Sequence, residues 1–157
     1  MDQHTEKGVR ANEQSDLALQ ILNRLTGSYF YQTPNGKPSK LDGCIVSKGK
    51  LAGFFEIKSR DVSYDLFSGR YENEILLTYD KLWHAFSITK TLCLSFSVIY
   101  HLVPSKMILC KTVIDAEGML LSPVRIIRSK TPSSVNGGEV FRNNAFIKMD
   151  DARVFRY

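Results

Sequence analysis

The chain is poor in the residues that staple small folds or hold soft metals. Its 157 residues include three cysteines, three histidines and one tryptophan. Cys44, Cys93 and Cys110 are far apart in apolar segments, with no CxxC pair and no histidine at zinc-ligand spacing. That argues against a disulfide framework or a zinc site and predicts buried, reduced thiols. No apolar run reaches the roughly 20 residues needed to cross a bilayer, so no membrane association is expected. The opening MDQHTEKGVR has no apolar h-region, so secretion is not expected and a cytoplasmic location is. Neither repeats nor low-complexity tracts interrupt the chain. An apolar fraction of 43% with mixed charges reads as globular, and the length suits a single domain over residues 1–157.

What is present is unevenly placed. Residues 122–157 carry seven Lys/Arg (Arg125, Arg128, Lys130, Arg142, Lys148, Arg153, Arg156) against three acids, whereas the preceding 121 residues hold 14 basic and 13 acidic. A basic end favours a polyanionic partner, although excess charge also serves solubility.

The segment ANEQSDLALQILNRLTG predicts a helix with Leu17, Ala18, Ile21, Leu22 and Leu25 on one stripe and Gly27 as the stop. SYFYQ predicts a short strand, TPNGKPSK a turn-rich loop, and LDGCIV with KLAGFFEIK a hairpin around SKG. Residues 59–76 read as a polar, irregular loop. Thr78 can cap a second helix with Tyr79, Leu82, Trp83 and Phe86 inward, and Trp83 is expected to anchor the core. LCLSFSVIYHLV alternates as a strand, KMILCKTVI is the next, and VRIIR and AFIKM are short strands around a Ser/Asn/Gly loop at 133–138. The order is helix, three strands, helix, two strands and a basic β-rich extension: an α/β or α+β domain with a mixed central sheet.

The hairpin carries the chemistry. Side chains alternate along a strand, so Phe54, Glu56 and Lys58 share one face while Leu51, Phe55 and Ile57 share the other. A three-residue Ser47-Lys48-Gly49 loop would set Val46 opposite Lys50 and Asp42 opposite Phe54, on the face of Glu56 and one diagonal step away. Leu41, Gly43 and Ile45 would then join the core face. A two-residue Lys48-Gly49 loop shifts the register by one and turns Asp42 over the core. Burying an unpaired carboxylate costs several kcal/mol, so the three-residue loop is expected. Two converging carboxylates with few other ligands suit Mg²⁺, which keeps its waters and takes phosphate oxygens. Lys58 beside it would orient or deprotonate an attacking water, or stabilise charge on a phosphorane. An ordinary surface ion pair of Glu56 and Lys58 would not explain why Asp42 falls on the same face.

An aspartate, thirteen intervening residues and then Glu-x-Lys at a strand end, as in LDG…FFEIK, resembles the PD-(D/E)xK nuclease superfamily. The order of elements over residues 5–113 is similar to its αβββαβ core, with 114–157 as an extension. The resemblance implies that Asp42 and Glu56 are metal ligands, that the Ile57 carbonyl is a third, and that Lys58 is the catalytic lysine. It also implies a glutamate on the first helix, for which Glu13 is the candidate and Asp16 and Glu6 the next. Leu41 stands where the motif has proline. Family members often place a basic or amide group on the second helix, at Lys81, but here that residue points away from the apolar stripe and reads as solvated. Lys40, Arg60, Lys81, Arg125, Arg128 and Arg142 are the candidate nucleic-acid contacts; His84 and His101 read as structural.

The resemblance and the charge together imply a Mg²⁺-dependent nuclease, with Mn²⁺ able to substitute, acting on DNA as an endonuclease. A structure-selective enzyme of the Holliday-junction-resolvase kind suits a small basic domain without a recognition module, and a homodimer would let it cut two strands symmetrically. The alternative is a non-catalytic nucleic-acid-binding protein on the same fold, binding with strong salt dependence and no metal-stimulated turnover.

Overall fold

The computed structural model describes residues 6–34, 39–132 and 139–157. The turn-rich loop expected at 33–40 falls in part, at 35–38, outside the described residues, and the loop at 133–138 does so wholly. Among the described residues the architecture is α+β. A six-stranded mixed sheet of order β1-β2-β3-β5-β6-β9 packs with a three-stranded sheet of order β4-β8-β7 and three α-helices.

Helix α1 (Glu6–Thr26) ends where Gly27 takes a left-handed φ of 67°. Its buried side is Ser15, Ala18, Leu19, Ile21 and Leu22, while Leu17 and Leu25 are exposed. The expected leucine stripe is therefore rotated. Small residues at 15 and 18 let the helix sit close on the sheet, where it packs against Phe55, Ile57, Ile99, Ile108 and Phe155. Contiguous apolar side chains of this kind each contribute about 1.5–3 kcal/mol when buried.

Strands β1 (Tyr29–Gln32), β2 (Gly43–Ser47) and β3 (Lys50–Arg60) form an antiparallel meander. The turn between β2 and β3 has two residues, not three: Ser47 pairs with Lys50, and Lys48 and Gly49 both take positive φ, 51° and 74°, as a tight hairpin turn requires. That register alone would turn Asp42 to the core. A β-bulge undoes it, because Val46 pairs with Leu51 and Ile45 with Gly53, leaving Ala52 as the extra residue. One inserted residue inverts the alternation beyond it. Gly43 and Gly53 are both required by contact: a Cβ at Gly43 would collide with the Tyr31 carbonyl and the Phe55 ring, and one at Gly53 with Ser95. Leu51 is exposed, and Leu41 packs in the core on the other side of the sheet from Phe55.

The stretch 59–76 is more ordered than its polarity suggests. It completes β3, forms the short helix α2 (Tyr64–Gly69) capped by the Ser63 hydroxyl, and begins β4 (Glu74–Thr78). Helix α3 (Tyr79–Leu92) follows at once and buries Leu82, Ala85 and Thr89, whereas Trp83 is 54% exposed and stacks on Phe86. Trp83 is thus not a core anchor; its position is one helical step away from the buried side. Cys93 closes the helix in a left-handed conformation and is exposed, contrary to the expected burial, while Cys44 and Cys110 are half-buried free thiols.

The crossover through α2, β4 and α3 returns the chain to β5 (Ser95–Leu102), parallel to β3, and β6 (Met107–Ile114) then pairs antiparallel to β5. The C-terminal segment is built into this body. The hairpin β7 (Val124–Pro132) and β8 (Glu139–Lys148) pairs with β4, and β9 (Arg153–Arg156) pairs with β6. β4 supplies the edge that the basic segment needs, which local sequence could not reveal. Ala145, Ile147 and Met149 join Leu41, Phe67, Leu77, Leu82, Val98 and Tyr100 in the larger core. The sheet is thus covered by α1 on one face and by α3 with the small sheet on the other. No described helix is long and apolar enough to cross a membrane.

Candidate metal and phosphodiester site

Asp42 lies just before β2, where its N–H donates to the Phe55 carbonyl at 3.1 Å and carries the pairing one step beyond Gly43. Glu56 follows Phe55 on β3. The bulge therefore sets the two carboxylates on one face, and a single atom marks their convergence. The Lys81 ammonium on α3 donates to Asp42 Oδ1 at 2.9 Å and to both Glu56 oxygens at 2.6 Å. Asp42 Oδ2 accepts from the Ile57 N–H at 3.0 Å. Along a strand the N–H and C=O of one residue point to the same edge, so the Ile57 carbonyl also faces the gap where β2 ends. Lys58 Nζ lies 3.7 Å from Glu56 Oε1.

Electrostatics here are tense. The Glu56 side chain is 2% exposed. Its pKa is pushed up from 4.5 to about 7, by burial first and then by Asp42, against the pull of Lys81 and Lys58. Burial lowers the Lys58 pKa, opposed by Glu56. Burial also pulls Lys81 down, but Glu56 and Asp42 together outweigh it and hold that ammonium above its ordinary range. Lys81 therefore stays charged, and Lys58 is the more readily deprotonated of the two.

The cleft above these groups, about 210 Å³, is lined by Gly8, Ala11, Asn12 and Ser15 of α1 together with Asp42, Glu56, Lys58, Arg60 and Lys81. Glu13 does not line it and is exposed, as are Asp16 and Glu6. The helix turns about 100° per residue, so the face holding Ala11, Asn12 and Ser15 leaves position 13 outward. Asn12 occupies the place expected of the helix glutamate. Among the described residues no group of three or more His, Cys, Asp or Glu side chains is placed to hold a metal.

Lys81 corrects a second expectation. It is not a solvated lysine. Its stem runs on the same side as Ala85 and Thr89, four and eight residues later, both fully buried. The small Ala85 was the signal that this side faces inward. Arg60 lines both this cleft and an adjoining one with Arg10 and Gln14, and its Nη1 donates to the Ser59 carbonyl at 2.9 Å.

A buried polar chain fixes α1 beside the site. Ser15 Oγ meets Ser59 Oγ at 3.1 Å, and Ser59 Oγ meets His101 Nδ1 at 3.2 Å. His101 Nδ1 also lies 3.1 Å from the Gln14 carbonyl, and Nε2 lies 2.7 Å from the Tyr157 hydroxyl. A carbonyl only accepts, so Nδ1 carries the proton and Nε2 accepts from Tyr157. Burial holds the His101 pKa down, consistent with a neutral structural ring.

The remaining basic candidates stand apart. Lys40 is exposed two residues before Asp42. Arg125 is engaged by Glu74 and lies over the Phe146 ring at 4.6 Å. Arg128 and Arg142 sit on opposite faces of the β7–β8 hairpin, since Arg128 pairs with Asn143 and Ser129 with Arg142. No protein-family model, curated protein or solved structure matches the chain.

Proposed function

We propose that the chain is a divalent-metal-dependent nuclease of the PD-(D/E)xK kind, hydrolysing phosphodiester bonds of DNA as an endonuclease. The observation that carries this reading is the convergence of the Asp42 and Glu56 carboxylates on one cationic centre, with Lys58 beside them. An ammonium already occupies that point, so the carboxylates are arranged for a cation. Two carboxylates and the Ile57 carbonyl leave half of an octahedron to water and phosphate, which suits Mg²⁺, with Mn²⁺ as a substitute.

Bound there, the ion would supply Lewis-acid polarisation of the phosphodiester and acidify a water. The protein's own groups do the rest. Asp42, Glu56 and the Ile57 carbonyl would hold the ion, and Lys81, released from the carboxylates, would turn its ammonium to the scissile phosphate. Lys58 would take a proton from the attacking water, a role supported by burial, which moves its pKa in the direction a base needs. Arg60, at the junction of two clefts, would hold a neighbouring phosphate. Water oxygen would bond to phosphorus as Lys58 takes its proton, the P–O ester bond would break, and the leaving oxygen would take up a proton from solvent water.

Asp42→Ala and Lys58→Ala should each abolish Mg²⁺-stimulated cleavage of supercoiled plasmid or branched DNA while the fold persists. Full activity in both variants would remove the proposal. A second reading, a non-catalytic nucleic-acid-binding protein, is favoured by one observation: the Lys81 ammonium pairs with both carboxylates at once. Incubating the protein with plasmid, branched DNA and RNA, each with Mg²⁺, Mn²⁺ or EDTA, separates the two, because only the nuclease turns over.

A further inference from the structure

The β7–β8 hairpin outruns the sheet to which it belongs. The pairing of β4 with β8 stops at Thr78 opposite Asn144, whereas β8 continues to Glu139 paired with Pro132. Five residues of β8 thus extend past the last residue of β4, roughly 17 Å at the rise of a strand. Among the described residues the overhang is open to solvent: Phe141 is 58% exposed, and Arg128, Lys130 and Asn143 are exposed as well. The overhang is therefore a two-stranded ribbon projecting into solvent.

Its two faces differ. Register places Ile126, Arg128, Lys130, Phe141 and Asn143 on the face that carries Ala145 and Ile147 into the core. Arg128 and Lys130 lie over the Phe141 ring at 5.9 and 5.6 Å, and Arg128 stands directly opposite Asn143. Lys130 also pairs with Glu139 at 3.4 Å. Arg142 stands on the reverse face. The same core takes Val98 and Tyr100, the partners of Glu56 and Lys58 across β3 and β5. The ribbon's first face and the site's strand face therefore look toward each other. Chain connectivity also ties them: Thr78, at the base of the ribbon, is three residues before Lys81.

We infer that this ribbon is a grip for duplex DNA, laying its Arg128/Asn143 face into the major groove so that the adjoining backbone reaches the Asp42–Glu56 cleft. A two-stranded ribbon fits the roughly 12 Å major groove of B-form DNA, and Arg and Asn are the side chains that pair with guanine and adenine edges there. The deep, narrow major groove of A-form RNA would reject it. Lys130 and Phe141 support the arginine through their stacked packing. This inference rests on the nuclease reading only for the position of the cut, not for binding.

The test is duplex DNA binding by fluorescence anisotropy in EDTA, over a salt series, with Arg128→Ala, Phe141→Ala and Arg142→Ala. Arg128→Ala should lose on the order of tenfold in affinity or more and flatten the salt dependence, by about 0.9 in log–log slope if a phosphate contact is lost with it. Phe141→Ala should lose part of that, Arg142→Ala little, and duplex RNA should compete poorly. Unchanged affinity in Arg128→Ala and Phe141→Ala, or equal losses at Arg128 and Arg142, would overturn the inference. So would ribbon variants that change sedimentation but not DNA affinity, which would make the ribbon's partner a second copy of the chain. Because these residues are exposed, unaltered melting checks the fold. Metal-stimulated hydrolysis of a small phosphodiester, bis(p-nitrophenyl) phosphate, separates the two claims. Arg128→Ala should keep it, and Asp42→Ala should lose it while still binding DNA. If the wild type hydrolyses neither substrate but Arg128→Ala loses DNA affinity, the ribbon stands and the nuclease reading falls.

Discussion

Replacing Glu56 by glutamine should make the metal-free protein more stable at pH 8 and leave it nearly unchanged at pH 5. The Glu56 pKa rises from 4.5 unfolded to about 7 folded, burial being the first cause. Between those values the folded chain keeps a proton that the unfolded chain has released, so stability falls as pH rises. Below pH 4.5 both states are protonated and no cost exists; above 7 both are ionised and the cost is complete. At about 1.4 kcal/mol per unit, the shift corresponds to about 3 kcal/mol, of which about 2 to 3 develops between pH 5 and pH 8. The side chain is 2% exposed, so solvent screening removes little of it. Glutamine keeps the shape and an oxygen for Lys81 but never ionises. Urea unfolding of both proteins in EDTA, at half-unit steps from pH 5 to 8, reads the difference directly. In melting temperature the gap at pH 8 should be roughly 5–10 °C for a chain of this size. A difference that stays flat across this range, or a glutamine variant less stable at pH 8, would refute the reasoning. It would mean that the attraction of Lys81 and Lys58 for the carboxylate exceeds the burial cost. Excess Mg²⁺ should narrow the gap at pH 8 by binding the wild type alone.

Lys81→Met removes the ammonium that competes for Asp42 and Glu56, so calorimetric Mg²⁺ affinity without DNA should rise, by about tenfold; a fall would show that Lys81 assembles the site instead of guarding it. Gly43→Ala should cost about 1–3 kcal/mol in chemical denaturation, because the new methyl meets the Tyr31 carbonyl and the Phe55 ring; a neutral result would mean that β1 can shift. Deleting Ala52 removes the bulge but leaves Val46 opposite Leu51 and Ile45 opposite Gly53, so Asp42 should stay on the face of Glu56 and calorimetric Mg²⁺ affinity should be kept; lost binding would show that the bulge itself shapes the site.

Much of the fold was written in local pattern. The first helix, the meander, the second helix and the parallel return strand follow from apolar spacing and from Gly27, Gly49 and Thr78 at element ends. So does the sharing of one face by Glu56 and Lys58, since alternation within a strand needs no partner. The pairing of Asp42 with them was expected on that face but by the wrong turn. Two-residue loop and three-residue loop differ by one step of parity, and only the strand pairing, Val46 with Leu51 and Ile45 with Gly53, reveals that a bulge at Ala52 restores it. Helix faces were read from the largest apolar residues, and there the sequence misled. Ser15, Ala18 and Ala85 face inward beside Leu19, Leu22 and Leu82, which sets Glu13 outside the cleft and Lys81 on it. Strand β4 and the basic C-terminal segment were illegible for another reason: each half-buried strand acquires its meaning only from a partner about 70 residues away. Residue order thus determined which side chains could meet across a strand, and tertiary packing decided which helix residues completed the site, because a small or polar residue can share the buried side of a helix with its leucines.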